Sequence, residues 1–227
     1  MKKLAIVLLT ATVSLGAQGK EEDRLRACAT VVSEILNMPD VPGDLLHRAE
    51  CVIVFPDVKK FAVGVGGSYG RGAMTCRTGA DFSGPWSAPT LMALEGGSIG
   101  FQIGGQATDY VILVMNDRGA TSVLSSKVKL GADASAAAGP KGRTAGAATD
   151  IVMQAELLTY SRSRGLFAGV SLEGSTLRPD NDANTLVYGS ALAPRDIVKG
   201  SIAVPSAALP MVETLNKRSP TNLSDRK

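Results

Sequence analysis

Strand patterns fill the centre of this 227-residue chain, and helical patterns lie at its two ends. The run YVILVM at residues 110–115 is apolar at every position, as is typical of a strand that is buried on both faces. Residues 21–38 and 207–217 instead place apolar side chains at the spacing of a helix. This order predicts a single α+β domain in which N- and C-terminal helices flank a largely antiparallel, strongly bent or barrel-like β-sheet.

Turn-forming residues set the expected limits of these elements. The apolar run 51–55 is expected to be a strand that ends at Pro56, because proline cannot donate a hydrogen bond to a strand ladder. Residues 61–77 are rich in glycine and predict two strands joined around residues 70–72. Asp180 is one of two candidates, with Asp182, for the N-cap of a following helix.

The N-terminal segment 1–19 has the pattern of a secretory signal peptide. Lys2 and Lys3 precede the uncharged apolar run 4–15, and small residues follow up to Gly19. The apolar run is shorter than the ~20 residues that a membrane-spanning helix needs. A retained membrane anchor is the alternative interpretation of the same segment.

Removal of this segment leaves a nearly neutral chain, because the 24 basic side chains fall to 22 against 21 acidic ones. Any binding of anions must then come from local clusters of charge rather than from the net charge. Residues 20–218 are predicted to form the domain, and the polar residues 219–227 a flexible tail. The signal peptide predicts an exported protein that is periplasmic or associated with the cell envelope.

The chain has three cysteines, Cys28, Cys51 and Cys76. An exported protein can hold disulfides, and Cys51 and Cys76 both lie in strand-like segments, so these two could pair. The alternative is that all three are small buried apolar side chains.

Residues 161–184 combine a two-faced strand pattern with arginines at both ends. Residues 166–173 alternate between two sets of side chains, which is the period of a strand. Arg162 and Arg164 precede this strand, and Arg178 follows it. Such a strand suits a surface that meets an anionic ligand rather than a catalytic pocket.

Few residues suit catalysis or metal binding. His47 is the one histidine, so a catalytic unit of the Ser/His/Asp or Cys/His type would have to include it. Zinc is not expected, because the cysteines and this histidine are too widely spaced. The run DNDAN at residues 180–184 offers alternate oxygen ligands but lacks the glycine and glutamate of a calcium loop.

No enzyme activity, cofactor or metal is therefore predicted, and a hydrolase built on His47 is the least favoured alternative. Nucleic acid is not an expected partner either. The exported chain is nearly neutral, and only 4% of its residues are aromatic.

Four segments together resemble the SYLF domain, a lipid-binding family. They are RAECVIVFPDVKKFAVGVGGSYGRG, GGSIGFQIGGQATDYVILVMN, LGADASAAAGPKGR and YSRSRGLFAGVSLEGSTLRPDNDAN. The resemblance extends from about Leu25 to Tyr188, with the segments in the order of the family.

This resemblance implies a non-enzymatic protein that binds anionic phospholipids or membrane surfaces through a basic cluster beside apolar surface. The resemblance also gives five basic residues as candidates for lipid or anion binding: Lys127, Lys141, Arg143, Arg162 and Arg164. It also implies membrane contact by an amphipathic N-terminal helix, here residues 21–38. Eukaryotic members are similar to phosphoinositide-binding and actin-patch proteins, but actin is not an expected partner of an exported chain. The alternative is a structural or protein-interaction module with a partner protein in the envelope.

Overall fold

The computed structural model describes residues 2–38, 43–63, 65–99, 106–140, 154–163, 166–200 and 202–224. The helices are α1 (Lys2–Leu36), α2 (Gly43–Arg48), α3 (Asp117–Ser125), α4 (Asn181–Tyr188), α5 (Pro194–Val198) and α6 (Leu209–Arg218), with a short 3₁₀ helix at Ser206–Ala208. The strands are β1 (Cys51–Val63), β2 (Val65–Cys76), β3 (Thr90–Ile99), β4 (Gln106–Val114), β5 (Val128–Lys129), β6 (Ala136–Ala138), β7 (Leu157–Ser163), β8 (Leu166–Gly169) and β9 (Thr176–Pro179).

All nine strands belong to one curled sheet of half-barrel shape, in the order β5-β9-β3-β2-β1-β4-β7-β6, with β8 also paired to β7. Every pair is antiparallel except β6 with β7. The α+β class, the largely antiparallel bent sheet and the flanking terminal helices are thus confirmed.

The sheet has an apolar core on each side, because alternate strand residues point to opposite faces. On the face that α1, α2 and α6 cover, called here the α1 face, Val52 of β1 and Val111 of β4 are buried. On the opposite face Ile53 and Ile112 pack with α3. All side chains at residues 110–114 are buried, so the predicted two-sided burial of this strand is confirmed.

β1 continues through Pro56, so the prediction that this proline ends the strand is wrong. The pairing register of β1 against β2 shifts between Val54 and Lys59, which marks a β-bulge. Asp57 adopts a positive φ of 52° there, and its amide donates to Asp109 Oδ1 at 2.9 Å. The missing N–H of proline costs little at a bulge, because the ladder is already interrupted.

The turn expected at residues 70–72 is also wrong, because β2 runs through them. β1 ends at Val63 and β2 begins at Val65. A Cβ on Gly72 would lie 1.8 Å from the carbonyl oxygen of Val54, and one on Gly70 would also overlap the bulged part of β1. These glycines allow close approach of two strands rather than a reversal of the chain.

β8 is shorter than the alternating pattern predicts and ends at Gly169. Phe167 points into the α1-face core, whereas Leu166 is 75% exposed. The chain then turns at Gly174, which has a φ of +81°. The arrangement leaves a large apolar side chain exposed at the start of β8.

Cys51 and Cys76 form a disulfide between directly opposed positions of β1 and β2. Of the two alternatives, a disulfide or buried free thiols, the disulfide is therefore the one found for Cys51 and Cys76. Cys28 is a free, buried thiol on α1, and its Sγ lies 3.6 Å from the carbonyl oxygen of Val54. Burial raises the pKa of Cys28 to about 12.

α1 is one continuous helix that runs through the predicted cleavage site near Gly19. Glu21, Leu25 and Cys28 are buried, whereas residues 16–20 are exposed or half-buried. Within residues 16–36 of this helix, whose side chains the structure describes, burial therefore begins at Glu21, just after the predicted cleavage site. Across the part of the chain that the structure describes, no helix is both long and apolar enough to cross a membrane.

Candidate functional site

An apolar cleft lies between the α1 face of the sheet and the helices that cover it. The helices contribute Val32, Ile35, Leu36, Leu46 and Leu215 to its walls. The strands contribute Val52, Val111, Leu113, Tyr160 and Phe167. The unfilled space in this cleft measures about 30 Å³, and its exposed walls are entirely apolar. Such a space disfavours water and accepts an apolar guest.

Two aromatic rings form the wall of this cleft at β7 and β8. Tyr160 and Phe167 stack with ring centroids 4.8 Å apart and an interplanar angle of 15°. A Cβ on Gly139 would lie 2.0 Å from the Tyr160 ring, so glycine leaves the room that this ring needs. The Tyr160 hydroxyl is buried without a hydrogen-bond partner among the described residues, and burial raises its pKa.

A polar groove follows the seam between α1 and α6. These two helices also line the apolar cleft, and the groove lies on the faces next to it. Its lining consists of Ser33, Asn37, Thr214, Lys217 and Arg218, and its volume is about 460 Å³. The Arg218 guanidinium donates to Asn37 Oδ1 across the seam. The five lining side chains include two cations and no carboxylate, so the groove suits an anion.

Two of the five predicted basic residues lie in the described part of the chain. Lys127 precedes β5 and is 64% exposed, with its Nζ 3.8 Å from a carboxylate oxygen of Glu95. Arg162 on β7 donates from Nη2 to Asp109 Oδ2 at 2.6 Å and also bonds Glu34 of α1. The two side chains belong to opposite ends of the strand order and contact different carboxylates.

The pairing of Arg162 is reflected in its pKa. Burial alone lowers the pKa of this guanidinium, but the hydrogen bonds from Asp109 and Glu34 outweigh burial, and the net shift is upward. The remaining predicted residues, Lys141, Arg143 and Arg164, lie outside the described residues.

Other arginines of the sheet also face carboxylates. Arg71 of β2 lies 2.5 Å from Asp180 Oδ2 and 3.4 Å from Glu21 Oε1, and Arg178 bonds Glu95 at 2.8 Å. Burial, with the nearby charge of Arg71, lowers the pKa of Arg24 in the same cluster. The pairs of Arg71 join the sheet to α1 and to the start of α4, and the pair of Arg178 joins β9 to β3, so their first role is to hold elements together.

The basic residues of the groove, Lys217 and Arg218, were not among the predicted site residues. The sequence does place Lys217 at the end of the expected helix 207–217 and Arg218 directly after it. In the structure both lie in the last turn of α6, where positive charge also complements the helix dipole. Nothing in the local pattern indicates that α1 would supply the other wall of a groove there.

His47 contributes to packing rather than to a catalytic unit. Its Nδ1 lies 3.2 Å from Ser219 Oγ. Ser219 is completely buried, and its hydroxyl also accepts from Arg77 Nη2 at 2.6 Å. A serine so enclosed cannot meet a substrate, which argues against a hydrolase built on His47.

Residues 219–224, the described part of the segment that is predicted to be a flexible tail, form hydrogen bonds with the rest of the domain. Arg77 donates to Thr221 O as well as to Ser219, and the Trp86 indole donates to Ser219 O. Asn222 donates from Nδ2 to Glu50 Oε2 at 2.8 Å. The described part of this segment is therefore anchored to the start of β1 and the end of β2 by buried polar groups, which a polar sequence does not reveal.

The DNDAN run has a structural role within the described residues. Asp180 is the N-cap of α4 and accepts from the Ala183 amide, as one of the two expected caps. Asn184 accepts from the Leu91 amide at 2.7 Å and donates to Thr90. No group of three or more potential metal ligands occurs in the ranges that the structure describes.

An apolar cleft, a polar groove and a curled sheet whose charged side chains hold the fold together define a binding module. The sequence matches the family model of the Ysc84 domain, described as "Las17-binding protein actin regulator", over residues 95–218. The chain belongs to this Ysc84, or SYLF, family, which confirms the resemblance found in the sequence.

Similar proteins include LAS seventeen-binding protein 3 of Saccharomyces cerevisiae, which is 32% identical over 211 residues, or 91% of this chain and 45% of the yeast protein. SH3 domain-containing YSC84-like protein 1 of Rattus norvegicus is 33% identical over 184 residues, or 79% of this chain and 53% of that protein. Protein YSC84 of S. cerevisiae is 33% identical over 182 residues, or 79% and 38%. The chain thus spans about half the length of these relatives or less. The description of the family model and the name of LAS seventeen-binding protein 3 refer to binding and regulation rather than to catalysis.

Proposed function

We propose that this protein binds anionic phospholipid at a membrane surface of the cell envelope without catalysing a reaction. The observation that carries the proposal is the seam between α1 and α6. There Lys217 and Arg218 border a groove without lining carboxylates, and an apolar cleft opens on the neighbouring faces of the same helices. Neither cation forms an ion pair with a described residue. A phosphate group and an acyl chain are the two parts of a lipid that such a surface suits.

The residues predicted from the sequence keep a place in this proposal. Lys141, Arg143 and Arg164 stay candidate lipid contacts. Lys127 and Arg162 would have to exchange a carboxylate partner for a lipid phosphate, because Glu95 and Asp109 already bond them. The exchange is easier at Lys127, which is well exposed, since exposed ion pairs are weak.

The envelope location rests on the signal-peptide pattern of residues 1–19. Among residues 16–36 of α1, whose side chains the structure describes, the first buried one is Glu21, so cleavage near Gly19 leaves the buried side chains of this range in place. Mass spectrometry of the protein from its native host should find an N-terminus close to Lys20. A chain that keeps Met1 or Lys2 would favour the membrane-anchor alternative.

Co-sedimentation with vesicles tests lipid binding. Phosphatidylcholine vesicles that contain phosphatidylglycerol should bind the protein, pure phosphatidylcholine vesicles should not, and salt should weaken the binding. Each cation near an anionic surface contributes about 1 kcal/mol. The variant K217Q/R218Q should therefore bind about 30-fold more weakly, which corresponds to about 2 kcal/mol.

The matched control is R195Q/K199Q, which removes one arginine and one exposed lysine at α5, a helix that packs on α3 and β3 instead of α1. It should change binding much less than K217Q/R218Q. Absence of any dependence on phosphatidylglycerol would refute the proposed function. An equal loss of vesicle binding in the control variant would show that the groove is not the lipid-binding site.

A protein partner in the envelope is the second candidate, favoured by relatives that are named for binding another protein. We do not propose actin, because the predicted export would separate the chain from it. Affinity purification from envelope extracts that finds one saturable partner, together with no vesicle binding, would support this candidate over the lipid.

A further inference from the structure

The apolar cleft leaves space unfilled between the sheet and the helices that cover it. Protein cores are close-packed, with few voids larger than a water molecule. Here ten large side chains from four strands and three helices surround unfilled space without exposing a polar atom to it. A void of this kind is not stabilised by bound water, because water needs polar partners. An aliphatic group is the guest that its walls can stabilise.

The two sides of the cleft differ in how firmly they are held. On the sheet side, Tyr160 is stacked on Phe167 and confined by Gly139. On the helix side, the end of α1 and α6 meet at the polar groove, where the exposed bond from Arg218 to Asn37 crosses the seam. Opening between the helices therefore disturbs an exposed contact, whereas opening through the sheet would break strand pairing.

The groove outside this seam provides the chemistry of a headgroup site. Lys217 and Arg218 are cationic donors, and the hydroxyls of Ser33 and Thr214 are further donors. An ionised oxygen group accepts charge-assisted hydrogen bonds from such a set. The lining thus complements a phosphate that is covalently attached to an apolar chain.

We infer that the cleft takes the end of one acyl chain of an anionic phospholipid, which enters between α1 and α6 while the phosphate stays in the polar groove. This inference rests on the proposed function and deepens it, since the lipid is then held by its chain and not only at the membrane surface. The unfilled 30 Å³ accommodates the end of the chain while α1 and α6 keep their present positions. Deeper entry requires the seam to part.

Methyl NMR of the full protein with a spin-labelled lipid tests the inference. The probe is a monoacyl phosphatidylglycerol, below its micelle concentration, that carries a nitroxide at the chain terminus. It should broaden the methyl signals of Leu36, Val111 and Leu215, which line the cleft. Leu94 and Leu177 belong to the opposite core and should broaden much less. A nitroxide placed next to the headgroup should reverse the preference towards Thr214.

A filled cleft provides the second test. The variant V52I adds one methylene on the sheet side and should weaken binding of the monoacyl lipid about fourfold, the value of one buried methylene. V32I makes the same addition from α1 and replaces V52I if that variant does not fold. V187I on α4, which lies outside the cleft lining, is the matched control and should bind like the unaltered protein.

The outcomes separate this inference from the proposed function. Vesicle binding without broadening of the cleft methyls would overturn the inference and leave surface binding intact. Broadening of Leu94 and Leu177 to the same degree as Leu215 would also overturn it, because the chain would then have no preferred site. Broadening confined to the cleft, without vesicle binding, would support a chain site and refute the membrane proposal.

Discussion

Replacement of Ser219 by alanine tests whether the C-terminal segment is held by buried polar contacts. The Ser219 hydroxyl accepts from Arg77 Nη2 at 2.6 Å, and both side chains are buried. Hydrogen bonds to charged groups contribute about 1.5–3 kcal/mol, and a buried donor left without its acceptor keeps the full cost of desolvation. S219A should therefore lower the free energy of unfolding by about 2 kcal/mol.

Trp86 makes the measurement direct, because it is the only tryptophan and its indole donates to Ser219 O at 3.0 Å. Urea unfolding followed by its fluorescence should show a lower midpoint for S219A with an unchanged slope. For a domain of this size about 2 kcal/mol also lowers Tm by about 4–8 °C. The control S190A removes an exposed serine hydroxyl after α4 and should leave the midpoint unchanged. Equal midpoints for S219A and S190A would refute the reasoning.

A double-mutant cycle identifies the partner. If the effect of S219A comes through Arg77, it should shrink by about 1 kcal/mol or more in an R77Q background, because residues in direct contact couple. An undiminished effect would show that the hydroxyl acts through Leu46 O or His47 instead.

Three further changes have defined outcomes. G72A should lower the free energy of unfolding by about 3 kcal/mol, because its Cβ would lie 1.8 Å from the backbone of β1. The control G43A places its Cβ in open space and should be neutral or stabilising. Equal urea midpoints for the two variants would contradict this prediction. Cys28 should react with a thiol reagent at pH 8 only as fast as the protein unfolds, because the thiol is buried and its pKa is raised to about 12. A prompt reaction would show that α1 leaves the sheet in the folded protein. Replacement of Cys51 and Cys76 by alanine should cost about 2–4 kcal/mol in chemical unfolding, and a midpoint that reducing agent leaves unchanged would contradict a structural disulfide.

Local patterns were enough to predict the elements that depend on neighbouring residues. The helix α4 begins at Asp180, one of the two expected caps. The apolar run at residues 110–115 and the strand-rich centre predicted the buried strand and the fold class. These features follow from side-chain period and capping, which act over a few residues.

The candidate site could be predicted only in part. The sequence indicated basic side chains beside apolar surface, but Arg162 bonds Asp109, which is 53 residues away, and Arg71 bonds Asp180, which is 109 residues away. Pairing between such distant positions depends on strand order and register, which local patterns do not contain. The groove at Lys217 was missed for the same reason, because its other wall comes from α1.

The sequence by itself determined the class of the fold, the family, the helix caps and the excess of apolar strands, because each depends on composition or on spacing along the chain. Tertiary structure alone decided that Pro56 lies in a bulge, that Gly72 serves close strand approach and that Arg77 holds Ser219 across 142 residues. In each of these cases the deciding partner is remote in sequence and is brought near only when the sheet curls and the terminal helices pack on it.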